Sequence, residues 1–516
     1  MNTSDPTALN YEAAPNAKRL LWAGFVAILA AGIGFSVRGA SVLAAWSQDF
    51  GFTQTELGGI TGGGLVGFGI VIIISSFLAE AVGYARLMYL AFAVHFLSAV
   101  VTLAAPAVYA SAGKDATFWT LYVGMFLFAI GNGICEAVVN PLTATLFPNN
   151  KTHYLNILHA GWPAGLILGG VASIFMADKV SWQIQISLFL IPVILYGIMI
   201  FGQKMPSAAA SGVSFGDAIA QFVAPLLLFL LLIHALVGYV ELGTDSWIAR
   251  ITGSILDETT GRWLFVYTSA LMFILRFVAG PIVHRISPLG LLCVSAVLAT
   301  IGLYTLGGVG TTTMALMALT IYGLGKTFFW PTMLAVVSER FPKGGALTLG
   351  VVGGVGMLSA GLLGGPGIGF KQDKFASEKL QEISSPAFER YKASKPNSFF
   401  GLTTNGLDGQ KVNTLADNGE ALASDRKILE ESGTFIDSLE VLNAWWEDAK
   451  VHAEEDRANV TAATLHGSRM ALKLTAIVPA VMAVCYLLLI AYFKSIGGYK
   501  ALTINADGSV SEIKTH

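Results

Sequence analysis

Residues 20–37 read LLWAGFVAILAAGIGFSV, eighteen positions with no charge and no proline. A helix needs about 20 mainly apolar residues to cross the hydrocarbon layer of a membrane. Beyond this run only Arg38 interrupts the chain before Asp49, so a spanning helix is expected over 19–46. Lys18 and Arg19 precede it directly, and Met1 to Ala17 are polar, with Asp5 and Glu12. A secretory leader has a basic start and a shorter apolar core, so the run reads as a retained helix.

Outward from there the same criterion places helices at 56–80, 86–110, 117–147, 153–177, 183–203, 222–250, 260–285, 288–309, 311–340, 345–369 and 467–494. Composition agrees. The chain is 54% hydrophobic and 12% charged, against about 25% charged in soluble domains, so it needs lipid as solvent. A net charge of -2 leaves no basic face for nucleic acid. Cys135, Cys293 and Cys485 lie singly in apolar runs, which supports neither a disulfide framework nor a metal site.

Lysine and arginine placement orients the helices. With the N-terminus inside, inner segments hold ten such residues: Lys18, Arg19, Arg86, Lys151, Lys204, Arg285, Arg340, Lys343, Lys494 and Lys500. Outer loops hold four, Lys114, Lys179, Arg250 and Arg262. Both termini are therefore expected in the cytoplasm, and the protein in the plasma (inner) membrane as a multi-pass monomer. A Ser/Ala/Gly stretch after Met205 divides the helices six and six. The expected organisation is a tail at 1–18, a six-helix bundle at 19–204, a linker at 205–221, helices seven to eleven at 222–370, an extracytoplasmic insert at 371–465, helix twelve at 466–495 and a tail at 496–516. The insert carries 17 Asp/Glu against 11 Lys/Arg. With Ile436, Leu439, Leu442, Trp445 and Trp446 as apolar anchors, it reads as a small, partly helical cap.

The halves show a repeat. Gly131-Asn132-Gly133-Ile134-Cys135-Glu136 leads to Asn140-Pro141, and Tyr322-Gly323-Leu324-Gly325-Lys326 leads to Trp330-Pro331-Thr332. Aligning the prolines sets Glu136 on Lys326, and both helices end in Phe-Pro, at Phe147-Pro148 and Phe341-Pro342. Transporter sites form between such repeats. Helix two is dense in glycine (Gly58, Gly59, Gly62, Gly63, Gly64, Gly67, Gly69), which predicts close helix packing.

Charges deep in a membrane are costly and point to function. The deep ones are Arg38, Glu136, Glu241, Asp245, Arg276 and Lys326, with His95, His159 and His234. Pairing lowers the cost of burial, so Arg38 is expected beside Glu136, and Lys326 beside Glu241 or Asp245. Arg276 and Arg285 end helix eight, and Glu80 and Arg86 follow helix two, as two parts of an inner conformational latch. His159 can donate and accept near neutral pH. Trp162 and Trp330 offer flat faces for a sugar ring beside these polar groups. No nucleophile–base pair, metal cluster or phosphate loop is present, so neither an enzyme nor a cofactor is expected.

The pattern Gly131-x-Gly133-x-x-Glu136-x-x-x-Asn140-Pro141, followed by Leu155-Asn156-x-x-His159, resembles the fucose permease group, the fucose–galactose–hexose:proton symporters of the major facilitator superfamily. It recurs weakly at Gly238-Tyr239, Ser246-Trp247, Arg276-Phe277 and Trp330-Pro331-Thr332. The resemblance implies an all-α membrane fold of twelve helices in two six-helix bundles. It implies a cavity lined by helices one, four, seven and ten, which carry Arg38, Glu136, Glu241/Asp245 and Lys326. It also implies a sugar substrate, proton coupling, and substrate or proton handling by Glu136 and Asn140. In the family a glutamine usually stands at His159. The family's coupling aspartate in helix one falls on Ala40, and Lys326 stands where an uncharged residue is expected. Both departures bear on proton coupling, for which Glu136 is the expected residue.

The resulting expectation is a secondary transporter of a sugar or sugar derivative, working by alternating access with a proton or another coupling ion. Two alternatives stay open: an organic-anion or sugar-acid transporter of the same fold, and a membrane sensor with the external cap as its ligand module.

Overall fold

The computed structural model describes residues 15–39, 41–50, 57, 60–61, 64–176, 179–206, 214–432, 437–505 and 509–512. Ala40, Gly58, Gly59, Gly62, Gly63 and Ile436 lie outside them, as does the side chain of Glu80.

The described chain is almost entirely helical. In order come α1 (Ala17–Gly39), α2 (Ser41–Phe50), α3 (Gly64–Val82), α4 (Tyr84–Leu103), α5 (Ala105–Leu146), α6 (Lys151–His159), α7 (Gly161–Met176), α8 (Trp182–Ser187), α9 (Leu190–Ile200) and α10 (Phe215–Ala220). After them come α11 (Pro225–Gly238), α12 (Thr244–Ile255), α13 (Glu258–Arg276), α14 (Ala279–Leu306), α15 (Thr312–Lys326), α16 (Phe329–Arg340), α17 (Gly345–Ser359) and α18 (Gly365–Ile383). Two π-turns, Tyr239–Gly243 and Ala360–Gly364, join α11 to α12 and α17 to α18.

Among the described residues, nine helical stretches are long and apolar enough to cross a membrane. One, Ala105–Leu146, has 42 residues, about 63 Å of helix at 1.5 Å per residue. It does not run straight. Gly113 takes φ 80°, a conformation glycine adopts without strain, and reverses the chain there. Ser287 does the same inside α14 with φ 65°, directly before Pro288. The polar helices α13, α15 and α16 carry the segments expected at 260–285 and 311–340.

Large apolar side chains face outward along α3, α4, α9, α14 and α24 (Ile477–Ser495), among them Ile74, Leu90, Ile198, Val297 and Leu488. This belt suits lipid contact, since water would penalise it. Inside, the largest apolar cluster among the described residues runs from Ala17 to Phe493.

The two Phe-Pro motifs share their backbone angles. Phe147 ends α5 at φ -129°, ψ 61°, and Phe341 ends α16 at φ -126°, ψ 58°. Each is followed by a 3-10 turn opened by proline, Pro148–Asn150 and Pro342–Gly344.

Close glycine packing is found mainly outside α3. In α3 only Gly69 is in close approach, where an added Cβ would lie 3.0 Å from the Gly354 carbonyl oxygen; Gly64 faces open space. The tight contacts sit elsewhere. A Cβ on Gly165 would meet the Leu29 carbonyl at 2.3 Å, and one on Gly238 the Gly356 carbonyl at 2.0 Å.

The stretch 371–465 does not begin as a new unit. Helix α18 runs through residue 371, and α23 (Ala453–Thr475) begins before residue 465. The two pack closely enough that a Cβ on Gly467 would lie 2.4 Å from the Gln372 carbonyl. Around them fold α19 (Ser385–Tyr391), strands β1 (Asn397–Phe399) and β2 (Leu402–Thr404), α20 (Gly409–Ala416), α21 (Glu420–Ser432) and α22 (Asp437–Ala449). They share an apolar cluster of their own, including Leu380, Phe388, Tyr391, Leu415, Trp446 and Val460, with Leu439, Leu442 and Trp445 packed against it. Arg390 grips Asp456 through Nε at 2.8 Å and Nη2 at 2.5 Å. The Arg390–Asp456 contact holds the arginine's charge more firmly still, through that hydrogen bond.

Candidate functional site

The site is built where helices break. Pro163 has no N–H, so the His159 carbonyl four residues earlier has no helical partner. Pro331 frees the Thr327 carbonyl in the same way. Chain ends α6 and α15 mark these breaks. A freed carbonyl buried in apolar surroundings needs a donor.

Arg276 supplies it twice. Its Nη1 donates to the His159 carbonyl at 2.5 Å and its Nε to the Thr327 carbonyl at 2.9 Å. Its Nη2 pairs with Glu241 Oε1 at 2.9 Å, with both side chains almost fully buried. Glu241 sits in the Tyr239–Gly243 π-turn. Its other oxygen accepts from the Trp330 backbone N–H at 3.1 Å, in the first turn of α16, where amide groups lack helical acceptors.

From His159 a second arm extends toward α5. His159 Nε2 lies 2.8 Å from Asn140 Oδ1, and Asn140 Nδ2 donates to Glu136 Oε2 at 2.6 Å and to the Glu136 carbonyl at 3.0 Å. One chain of contacts therefore runs Glu136, Asn140, His159, Arg276, Glu241, Trp330, crossing from the helices before the linker to those after it. Lys326 pairs with Asp245 one turn along from Glu241. Asp245 Oδ2 is buried without a partner among the described residues.

Asp245 also borders a small cavity with Phe35, Leu65, Trp162, Leu166, Leu242, Phe265 and Met357. About 10 Å³ is available there to the centre of a water molecule, room for one. Trp162 leans against Phe35 at 5.5 Å.

Two expectations need correction. Arg38 is not beside Glu136. It lies between Phe128 and Phe189, at 4.3 and 4.9 Å from the ring centroids, and none of its guanidinium nitrogens has a hydrogen-bond partner among the described residues. The same two rings pack against His95 of α4, which bonds to Tyr196 and Asn132. Arg276 does not lie at an exposed end with Arg285. It is fully buried in the network, whereas Arg285 and Arg86 are exposed and make no ion pair among the described residues. Trp330 contributes its backbone amide, while its ring packs on His234 at 4.6 Å and on Gly356.

Sequence reading missed the inner contacts. Lys151 Nζ donates to the Ser338 carbonyl at 3.1 Å, Thr152 Oγ1 to Glu339 Oε1 at 2.9 Å, and Asn156 Nδ2 to Thr332 Oγ1 at 3.2 Å. Tyr499 holds the other Glu339 oxygen at 2.6 Å. Asn156 and Thr332 belong to the motifs quoted above, one in each repeat, so their residue types carried the signal.

The sequence model described as Major Facilitator Superfamily matches residues 24–365. The chain belongs to the Major Facilitator Superfamily. It is accordingly a transporter, not an enzyme. A search of curated proteins gave no match. Among solved structures, the superfamily protein FucP in the outward conformation, described elsewhere as the E. coli fucose:proton symporter, is 19% identical with a TM-score of 0.54, covering 70% of this chain and 93% of its own. The proton:xylose symporter XylE bound to 6-bromo-6-deoxy-D-glucose is 13% identical with a TM-score of 0.56, covering 67% and 86%. A bacterial homologue of the human lysosomal transporter Spinster, inward-facing and unoccupied, is 15% identical with a TM-score of 0.57, covering 92% and 97%. At these identities the likeness is one of fold.

Proposed function

We propose that this superfamily member carries a sugar or sugar derivative across the plasma membrane by alternating access, coupled to protons. The observation that carries the reading is the buried chain from Glu136 to Trp330. It joins helices on both sides of the linker through buried groups that hydrogen-bond well to hydroxyls. A substrate that competes for Asn140, His159 or Glu241 would loosen Arg276 from one repeat, and the two repeats could then rock about that level.

In this reading twelve helices form two bundles of six, 19–204 and 222–370 with 466–495, joined by the linker 205–221. Both termini face the cytoplasm, and the 371–465 insert stands outside as an extension of α18 and α23. Glu136, Asn140 and His159 serve the substrate from the first bundle. Arg276, Glu241, Asp245 and Lys326 serve it from the second, with Trp162 as a stacking face. The sugar:proton symport of FucP and XylE supports a sugar and a proton. The network holds three carboxylates and two cations, with Arg38 set apart, so it favours a neutral or positively charged substrate over an organic anion.

Solute counterflow in proteoliposomes tests the reading, with fucose, galactose, glucosamine and glucuronate as labelled solutes. At least one should exchange, and Asn140→Ala should abolish exchange. Failure of all four would remove the sugar reading. A variant shortened within 393–449 that binds solute but no longer exchanges it would indicate a sensor instead.

A further inference from the structure

We infer that the cavity beside Asp245 is a subsite for a positively charged amine on the substrate, so that the sugar derivative carried is an amino sugar. This rests on the sugar-transport reading and narrows it.

Three observations converge. First, Asp245 has an oxygen that is buried without a partner among the described residues. Glu241 uses one oxygen on Arg276 and the other on the Trp330 amide. Asp245 gives Oδ1 to Lys326, and the oxygen left over is Oδ2. A buried carboxylate oxygen is a strong acceptor held out of water, and its need for a donor is largest where no other donor is within reach. Second, the walls around it are aromatic and aliphatic: Phe35, Trp162 and Phe265 with Leu65, Leu242 and Met357. Ring faces attract cations and repel anions. Apart from Asp245 these walls offer no charged group, and a multiply hydroxylated face of a sugar would find too few partners there. Third, the local charge has a vacancy. Glu136, Glu241 and Asp245 face only Arg276 and Lys326, so one added positive charge balances the buried set.

The cavity's present size admits an ammonium group, which is close to water in volume. The ring of the sugar would then extend toward His159 and Asn140, as the two repeats part. Lys326 does not occupy this place. It approaches Asp245 from α15, over the Tyr322 ring at 5.3 Å, and pairs with Oδ1, not Oδ2.

The test uses the purified full-length protein in nanodiscs, with glucosamine, glucose and glucuronate as probes and thermal unfolding as the binding readout. Glucosamine should bind about tenfold or more tightly than glucose, the ratio that a charge-assisted hydrogen bond supplies. Glucuronate should bind weakest. Asp245→Asn should erase the preference for glucosamine over glucose. Because Asp245→Asn leaves Lys326 without a partner, the double variant Asp245→Asn/Lys326→Gln repeats the measurement with both charges removed and should give the same loss. Equal or tighter binding of glucose or glucuronate by the wild type overturns the inference, as does a glucosamine preference that survives in both variants. Counterflow of glucose without glucosamine would overturn it and leave sugar transport standing. A glucosamine preference that depends on Asp245, in a protein that exchanges no solute, would keep the subsite and remove the transport reading.

Discussion

Replacing Arg276 with methionine should be among the most damaging single changes available. Its guanidinium makes three buried contacts, to Glu241 Oε1, the His159 carbonyl and the Thr327 carbonyl. Methionine fills a similar volume and makes none of them. Breaking a buried ion pair by removing one partner costs about 3–5 kcal/mol. Each carbonyl left without a donor adds about 1–3 kcal/mol. The total is roughly 6 kcal/mol, comparable with the whole stability of many folded proteins. The charge part is separable. Arg276→Met/Glu241→Gln removes both charges, keeps the Trp330 amide bonded to a side-chain oxygen, and should recover about 2–3 kcal/mol. The carbonyl part is separable too. Pro331→Ala restores an N–H within reach of the Thr327 carbonyl, so it should stabilise the Arg276→Met background by about 1 kcal/mol and offer the wild type less. Reversible unfolding in mixed SDS–maltoside micelles, followed by tryptophan fluorescence, measures all five proteins. An Arg276→Met variant within about 1 kcal/mol of wild type would refute the assignment of Arg276 as the junction between repeats, as would a double variant no more stable than the single one.

Three further outcomes follow from particular contacts. Arg38→Met should leave stability within about 1 kcal/mol of wild type or raise it, because the guanidinium is desolvated with only two ring faces to offset the loss; the same micelle titration measures it. Gly165→Ala should cost about 1–3 kcal/mol, since its Cβ would lie 2.3 Å from the Leu29 backbone carbonyl and α7 must shift off α1; thermal unfolding reads this directly. Thr152→Cys with Glu339→Cys, joined by a short thiol-specific cross-linker, should fix the inner ends of α6 and α16 together and stop counterflow until the link is reduced. Continued exchange with the link in place would show that these ends need not part.

Much of the fold was legible because lipid imposes length and hydropathy on each crossing. The Phe-Pro helix ends were legible too: Phe147-Pro148 and Phe341-Pro342 adopt nearly the same backbone angles, although they stand six and ten residues after the aligned prolines. Depth and sign narrowed the partner of Lys326 to Glu241 or Asp245, and the structure pairs it with Asp245. Arg38 could not be placed that way. Sequence fixes how far along a helix a residue stands but not which neighbour its face meets, and α1 turns Arg38 toward Phe128 and Phe189. Arg276 was read as a helix end at the inner surface because Phe277-x-Ala279-Gly280-Pro281 follows it. The chain resumes as α14 at Ala279, so Arg276 stays buried. Its acceptors could have been found, since any buried helix proline frees the carbonyl four residues before it, and Pro163 and Pro331 both do so. The glycine cluster of helix two is described only at Gly64, Gly67 and Gly69. Glycine permits close approach without requiring it, and of the described residues only Gly69 uses the permission.

The most direct test of the whole account is solute counterflow in proteoliposomes by the wild type and by Asn140→Ala, compared at matched protein orientation and stability. Asn140 holds Glu136 on one side and His159 on the other, so the account predicts exchange of a sugar or amino sugar by the wild type and none by the variant. Equal exchange by both proteins would contradict it.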